Sequence, residues 1–246
     1  MKPIGIVSAL AAEARTLGRA ARHGAGAGRL ADGALLAVSG IGQDAAAAAA
    51  RRLVLAGVSG LASFGMAGGL DPALICGTVL LPEEVAAFDG TTSGVPAATS
   101  PQWRQRLRGA LPEACIVCPG RLLTSKRPVG STEAKAAAWR DSHAAAVDME
   151  SAAIAQVAAQ ARLPFIALRI IVDTATDELP AAVIAASSGG QLRIGVLLAG
   201  LLRAPRDVAG LIRLSARYRI ATRMLAAVAQ PGSPARRALV AGAWTS

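Results

Sequence analysis

The stretch 144–177, AAAVDMESAAIAQVAAQARLPFIALRIIVDTATD, decides how the rest of the chain is read. Val147 leads into Asp148-Met149-Glu150, and the run from Ser151 to Arg162 carries apolar residues at helical spacing. Pro164 to Val172 is then an apolar strand that closes on Asp173. In a strand–helix–strand unit the two strands run parallel, so Glu150 and Asp173 are expected at the same C-terminal sheet edge, where open α/β sheets bind ligands. The plain alternative is that Glu150 enriches the first turn of a helix and Asp173 caps the element that follows.

Working outward, Ile4 to Ser8 reads as a buried strand and Ala11 to Ala21 as a helix with Glu13 in its first turn. Ala34 to Ser39 is a second strand, and Gly40-Ile41-Gly42 turns it into an alanine-rich helix from Asp44 to Leu55. Glycines there let backbone N–H groups approach a ligand at a helix start. Gly60 to Met66 is a strand followed by Ala67-Gly68-Gly69-Leu70, whose double glycine permits close backbone approach to a sugar or an anion, with a plain turn as the bland alternative; Gly77 to Val85 is a further strand. Asp89 to Pro101 has the length and composition of a lid or a dimer contact. Ile116 to Pro119 and Arg121 to Ser125 read as short strands, and Thr132 caps a helix reaching Asp141. Beyond Asp177, the span from Gln191 to Val228 reads as two helices parted near Pro205. This alternation predicts an α/β fold: a three-layer α/β/α domain with a central mixed sheet, plus C-terminal helices. The expected division is a catalytic domain over 1–190 and a helical extension over 191–246 packed on the same domain.

Composition bounds the function. A chain of 246 residues with 53% hydrophobic residues buries a sizeable core. No window reaches the ~18 consecutive apolar residues of a membrane-spanning helix, and Met1-Lys2-Pro3-Ile4 enters a strand rather than a signal peptide, so the cytoplasm is the expected compartment. Cys76, Cys115 and Cys118 lack the second Cys pair or nearby His of a zinc site and read as buried small apolar residues. The net charge of +10 draws attention to nucleic acid, but only three of the 26 cations are lysine and aromatics are 3%, too few for base-stacking platforms. The charge concentrates near the end. Val208, Leu211, Ile212, Leu214, Tyr218, Ile220, Met224, Leu225 and Val228 fall largely on one helical stripe, with Arg213, Arg217, Arg219 and Arg223 off it. That pattern fits a helix covering the sheet with a solvated basic side, or a basic amphipathic surface at a membrane.

The segments VDMESAAIAQVA and PFIALRIIVDTATD, with IGIVSALAAEA, SGIGQDAAAAAA and FGMAGGL in the same order, resemble the nucleoside phosphorylase and nucleosidase superfamily over roughly residues 1–180. The methylthioadenosine/S-adenosylhomocysteine nucleosidases are the branch most similar. DTATDELP and the apolar, arginine-rich ending resemble the hopanoid-associated branch, which removes adenine from adenosylhopane. The resemblance implies a phosphorylase/hydrolase-like fold with no metal and no organic cofactor. It implies Asp173 as the acid at purine N7, Glu13 as the group acting on water, Glu150 as acceptor of ribose hydroxyl hydrogen bonds and Met149 against the sugar face. Gly68 lets the backbone approach the sugar or an anion. Pro128 and Val129 stand where the family brackets the base. Met66 stands where the family usually has a hydroxyl residue, which makes that wall more apolar. Ser8, Arg15, Arg51 and Arg169 are the candidates for an anion site if phosphate replaces water.

Cleavage of a ribosyl–purine bond passes through an oxocarbenium-like state, so it needs an acid for the departing base and negative charge near the cationic ring. Two carboxylates at one sheet edge and a third at a helix start supply these. The expected reaction is release of adenine from an adenosyl compound, with adenosylhopane as substrate and ribosylhopane as product. Alternatives are a methylthioadenosine/S-adenosylhomocysteine nucleosidase, or a purine nucleoside phosphorylase using phosphate. From a different class, a basic nucleic-acid-binding module explains only the charge and a membrane-peripheral module only the tail. The expected partners are an adenosyl small molecule or lipid, phosphate in the phosphorylase alternative, a second copy in a homodimer, and an inner-membrane surface for a peripheral enzyme; nucleic acid is not expected.

Overall fold

The computed structural model describes residues 2–23, 26–91, 94–180, 183–184 and 207–242. In chain order the elements are β1 (Ile4–Ser8), α1 (Ala11–Thr16), β2 (Ala21–His23), β3 (Ala27–Arg29), β4 (Leu35–Val38), α2 (Gln43–Leu55) and β5 (Gly60–Gly69). There follow β6 (Val79–Leu80), β7 (Glu84–Phe88), β8 (Ala97–Ala98), α3 (Pro101–Ala110), β9 (Val117–Cys118), β10 (Arg121–Ser125) and α4 (Thr132–Ser142). The last are β11 (Ala146–Asp148), α5 (Ser151–Gln160), β12 (Phe165–Ile171), α6 (Asp207–Ala229) and α7 (Pro234–Ala241).

Alternation along the strands sorts side chains to two faces of one mixed sheet. Val7, Leu35, Ala37 and Leu61 pack with Leu53 of α2 and Ile154 and Ala158 of α5. Ile4, Ile6, Leu36, Ala62 and Phe64 face the other way, against Leu17, Trp103 and Leu107, and against Leu225, Val228 and Leu239 of the C-terminal helices. Helices therefore cover both faces, the three-layer α/β/α arrangement expected from the alternation of elements.

Strand β5 holds the sheet together. It pairs in parallel with β1 (Ile4 opposite Gly60 to Val7 opposite Ser63) and with β12 (Phe165 opposite Leu61 to Ile171 opposite Ala67). Its last two residues, Gly68 and Gly69, pair antiparallel with Val147 and Ala146 of β11. From β11 the sheet continues through β10, β7 and β8.

Several expectations are corrected. β11 and β12 are not neighbours in a parallel crossover: each pairs with β5, one antiparallel and one parallel. Gly68 and Gly69 end β5, paired with β11, rather than forming a plain turn, and both sit in close packing. A Cβ on Gly68 would lie 3.1 Å from an Asp173 carboxylate oxygen, and one on Gly69 3.2 Å from the Asp173 carbonyl. The run from Gly77 to Val85 is two strands, β6 and β7, in different parts of the sheet. The first helix ends at Thr16, before Gly18 with φ +99°, and a hairpin of β2 and β3 follows. Ser131, not Thr132, caps α4, accepting a hydrogen bond from the Ala134 N–H. The cysteines are half-buried, not buried.

The first of the two expected C-terminal helices lies outside the described residues. In α6, Ala221, Leu225 and Val228 enter the core, while Ile212 and Ile220 are 66% and 47% exposed and so lie off the buried stripe. Among the described residues no helix is long and apolar enough to cross a membrane.

Candidate active site

A cavity of about 260 Å³ opens where β5, β11 and β12 end. Glu13, Met66, Gly68, Val129, Met149, Glu150 and Asp173 all line it, so seven of the eight residues singled out from the sequence share one chamber. The eighth, Ser8, stands behind Glu13 and donates its hydroxyl to the Glu13 carboxylate at 3.1 Å.

Glu13 is the third residue of α1, and its carboxylate turns back to accept the Leu10 N–H at 3.1 Å, half of a capping box. The same carboxylate accepts the Met66 N–H at 3.0 Å. Met66 thus contributes a backbone donor to Glu13 while its side chain makes the wall apolar. The approach is possible because residue 65 is glycine: a Cβ there would lie 2.8 Å from the Glu13 carboxylate. Burial pushes the Glu13 carboxyl above its usual range, against the opposing pull of Arg169 and the three donors. A carboxylate with a raised pKa is a better base toward water.

Glu150 precedes α5, and its Oε1 accepts the Gly42 N–H at 2.8 Å. The glycine turn 40–42 therefore gives this amide to a protein carboxylate instead of a ligand. Burial first, then the neighbouring Asp148 charge, raises the Glu150 pKa to about 7, with Arg169 and the Gly42 amide opposing. Beneath it lies a polar cluster that the sequence reading does not assign. Asp148 accepts from Thr124 Oγ1 at 2.7 Å and Arg169 Nε at 2.9 Å, and the Glu150 and Ser151 amides both point at it from 3.3 Å. Arg169 also donates to Ser63 and Ser151. This cluster fixes the backbone from which Met149 and Glu150 project.

Asp173 leaves β12 only 4% exposed. Its carbonyl accepts the Gly69 N–H at 2.7 Å and its Oδ2 accepts from Lys135 Nζ. Burial raises the Asp173 pKa, and the Lys135 ammonium beside it pulls the other way. Lys135 has no exposed surface. On α4, Lys135, Ala138 and Ser142 recur at i, i+3, i+7 on the buried face, so the lysine occupies an inward position that the polar and alanine residues around it do not signal.

The anion-site candidates do not assemble. Arg169 is committed to Asp148, Ser63 and Ser151, and Arg15 and Arg51 are exposed and do not line the chamber. Among the described residues lining the cavity, the one cation is Arg127. Leu214 and Tyr218 of α6 complete an apolar wall that the sequence reading assigns only to a general helical stripe. Among the described residues no cluster of His, Cys, Asp and Glu is arranged to hold a metal ion.

Three solved structures illustrate the similarity. A methylthioadenosine/S-adenosylhomocysteine nucleosidase from Neisseria meningitidis in complex with methylthio-immucillin-A is 24% identical, with a TM-score of 0.66 over 92% of this chain and 98% of that one. A mutant of the Helicobacter pylori nucleosidase with 5′-methylthioadenosine in its active site is 20% identical, with a TM-score of 0.64 over 84% and 99%. The futalosine hydrolase of Helicobacter pylori is 20% identical, with a TM-score of 0.63 over 87% and 97%. At these identities the likeness establishes the fold. No curated protein matches the sequence. Residues 3–202 match the family model of the Phosphorylase superfamily, well over half of the chain, and the protein is therefore an enzyme belonging to that superfamily.

Proposed function

We propose that this enzyme hydrolyses the N-glycosidic bond of an adenosyl compound and releases adenine. The observation that carries this reading is the placing of Glu13, Glu150 and Asp173, three buried carboxyl groups each with a raised pKa, on the walls of one largely apolar chamber. Asp173 donates its proton to purine N7 as the bond from C1′ to N9 breaks and its electrons pass to the base. Water adds to C1′ and loses its proton to Glu13, and solvent returns that proton to Asp173. Ionised Glu150 accepts hydrogen bonds from the ribose hydroxyls, and its charge favours the oxocarbenium-like ring. Engagement of Arg169 within the protein supports water over phosphate as nucleophile.

The finer reading is that the substrate carries a large apolar 5′ group, adenosylhopane, and is met at the inner membrane. Support comes from the apolar wall of Met66, Leu214 and Tyr218, and from exposed Ile212 and Ile220 beside exposed Arg213, Arg219 and Arg223. A chamber of about 260 Å³ is below the ~300–1,000 Å³ of pockets that bury a drug-sized ligand, which fits an adenosyl head held inside with a polycyclic tail left outside.

The test is adenine release from adenosine, methylthioadenosine and adenosylhopane, with liposome co-sedimentation alongside. Asp173→Asn is expected to lower turnover by about 10²–10⁴-fold, the usual contribution of a positioned acid. Unchanged turnover in that variant refutes the assignment of the acid. Faster cleavage of methylthioadenosine with no vesicle binding refutes the lipid substrate and leaves a nucleosidase acting on small molecules.

A further inference from the structure

Lys135 reaches the end of β12 from α4 and makes three hydrogen bonds, one for each ammonium proton. Its acceptors are Asp173 Oδ2, the Thr174 carbonyl at 2.8 Å and the Asp177 carbonyl at 2.8 Å. The same segment is tied from its other side, where the Asp177 carboxylate accepts the Thr174 N–H at 2.8 Å and the Thr174 hydroxyl at 2.6 Å and pairs with Arg217 of α6. Pinning a turn requires the two carbonyl bonds only. The third bond falls on the carboxylate of the acid itself, in a position without exposed surface.

We propose that Lys135 is a positioning residue for the Asp173 acid: it occupies Oδ2, so the transferable proton sits on Oδ1, and it holds the carboxylate that forms when the proton leaves. The inference rests on the reading of Asp173 given above. An ammonium can donate to Oδ2 only while that oxygen is unprotonated, which fixes the proton on the other oxygen. Gly68 lies against the same carboxylate, where a Cβ would stand 3.1 Å from Oδ2 and 3.3 Å from Oδ1. The acid is thus fixed in rotation as well as in place, and directional proton transfer to a ring nitrogen requires both. As the base departs Asp173 becomes an anion, and a permanent charge already hydrogen-bonded to it stabilises that developing charge with no reorganisation. Among the described residues, the other ionisable groups around Asp173 include Asp177 and Glu178 on the following segment, Arg213 and Arg217 of α6, and the Cys76 thiol, raised chiefly by burial and also by Asp177 and Asp173 against the pull of Arg217. Glu13 and Glu150 face it across the chamber.

Lys135→Met keeps length and removes charge and donors. The expected result is a fall in kcat of about 10²-fold on the adenosyl substrate with little change in KM. The alkaline limb of the pH–rate profile, set by deprotonation of Asp173, should move about 1–3 pH units higher, because an opposite charge has been taken away. A 5′-matched riboside with a p-nitrophenol leaving group needs no acid, and its cleavage should change far less. An unmoved alkaline limb, or equal losses on both substrates, overturns the proposal. If the variant does not fold, the unaltered protein answers the question by 15N-edited spectroscopy of its ammonium groups. Of Lys2, Lys126 and Lys135, only the last is buried. One slowly exchanging ammonium signal should titrate in step with the alkaline limb and lose that step in Asp173→Asn; absence of the signal or of the step refutes the coupling. Failure of the wild-type enzyme to release adenine is a separate result that sinks the parent reading, while the ammonium signal and the loss of its titration step in Asp173→Asn are still read without turnover.

Discussion

Glu150→Gln should make the protein more stable at neutral and alkaline pH while removing its activity. The Glu150 carboxyl is 7% exposed and its pKa is raised from 4.5 to about 7. A raised carboxyl pKa means that the folded state binds a proton more tightly than the unfolded chain does, so stability falls as pH rises through the window from 4.5 to about 7. At ~1.36 kcal/mol for each pH unit, keeping this group charged in the fold costs about 3 kcal/mol above that window. Glutamine keeps an oxygen for the Gly42 N–H and carries no charge. The variant should therefore gain about 3 kcal/mol over wild type at about pH 8 and converge with it at about pH 4. Urea unfolding of both proteins at the two pH values reads the difference directly. A variant less stable than wild type at about pH 8, or a difference that does not change with pH, refutes the argument. The charge that strains the resting fold is the one proposed above to meet a cationic sugar, which would be the usual exchange of stability for activity at a site.

Arg169→Met strands Asp148, 6% exposed, without its guanidinium; breaking one side of a buried pair costs about 3–5 kcal/mol. Adding Asp148→Asn should recover most of that loss in a thermal melt, and a single variant as stable as wild type would show that the pair contributes nothing. Gly65→Ala puts a Cβ 2.8 Å from the Glu13 carboxylate, and displacement of that group by ~1 Å should cost about 10²-fold in adenine release without unfolding the chain. Wild-type turnover in that variant would remove Glu13 from the reaction. Product analysis with and without phosphate should give the free ribosyl compound at the same rate; a ribose-1-phosphate product that appears only with phosphate would overturn the role given to water.

Sequence reading reaches those features that are local or strongly patterned. Ile4 to Ser8, Arg121 to Ser125 and the run ending at Asp173 have apolar stretches bounded by clear breaks, and each is a strand close to its expected limits. Acidic residues placed just after strands, or at a helix start, come to one chamber because strand ends converge there. Strand order is another matter. Nothing between Val147 and Pro164 signals that β11 pairs antiparallel with the end of β5, since that pairing depends on backbone approach at Gly68 and Gly69, far back in the chain. The β2–β3 hairpin is too short to carry a periodicity, with three residues in each strand. Lys135 escapes a reading of the sequence because its surroundings, TEAKAAAWRD, look like an ordinary solvated helix, and its partner Asp173 lies 38 positions later. Long-range pairing of charges leaves little local trace.

The place of β5 also has a consequence for how the molecule comes into being. Its residues are made early, yet one of its parallel neighbours, β12, spans Phe165–Ile171, so about a hundred further residues must leave the ribosome before Leu61 can meet Phe165. Until then β5 has β1 on one side and an unsatisfied edge on the other, an apolar strand open to wrong partners. The arrival of β12 closes that edge and, two residues past its end, delivers Asp173. Assembly of the chamber is therefore coupled to closure of that edge, and a chain stalled before that step holds Glu13 and Glu150 but lacks Asp173.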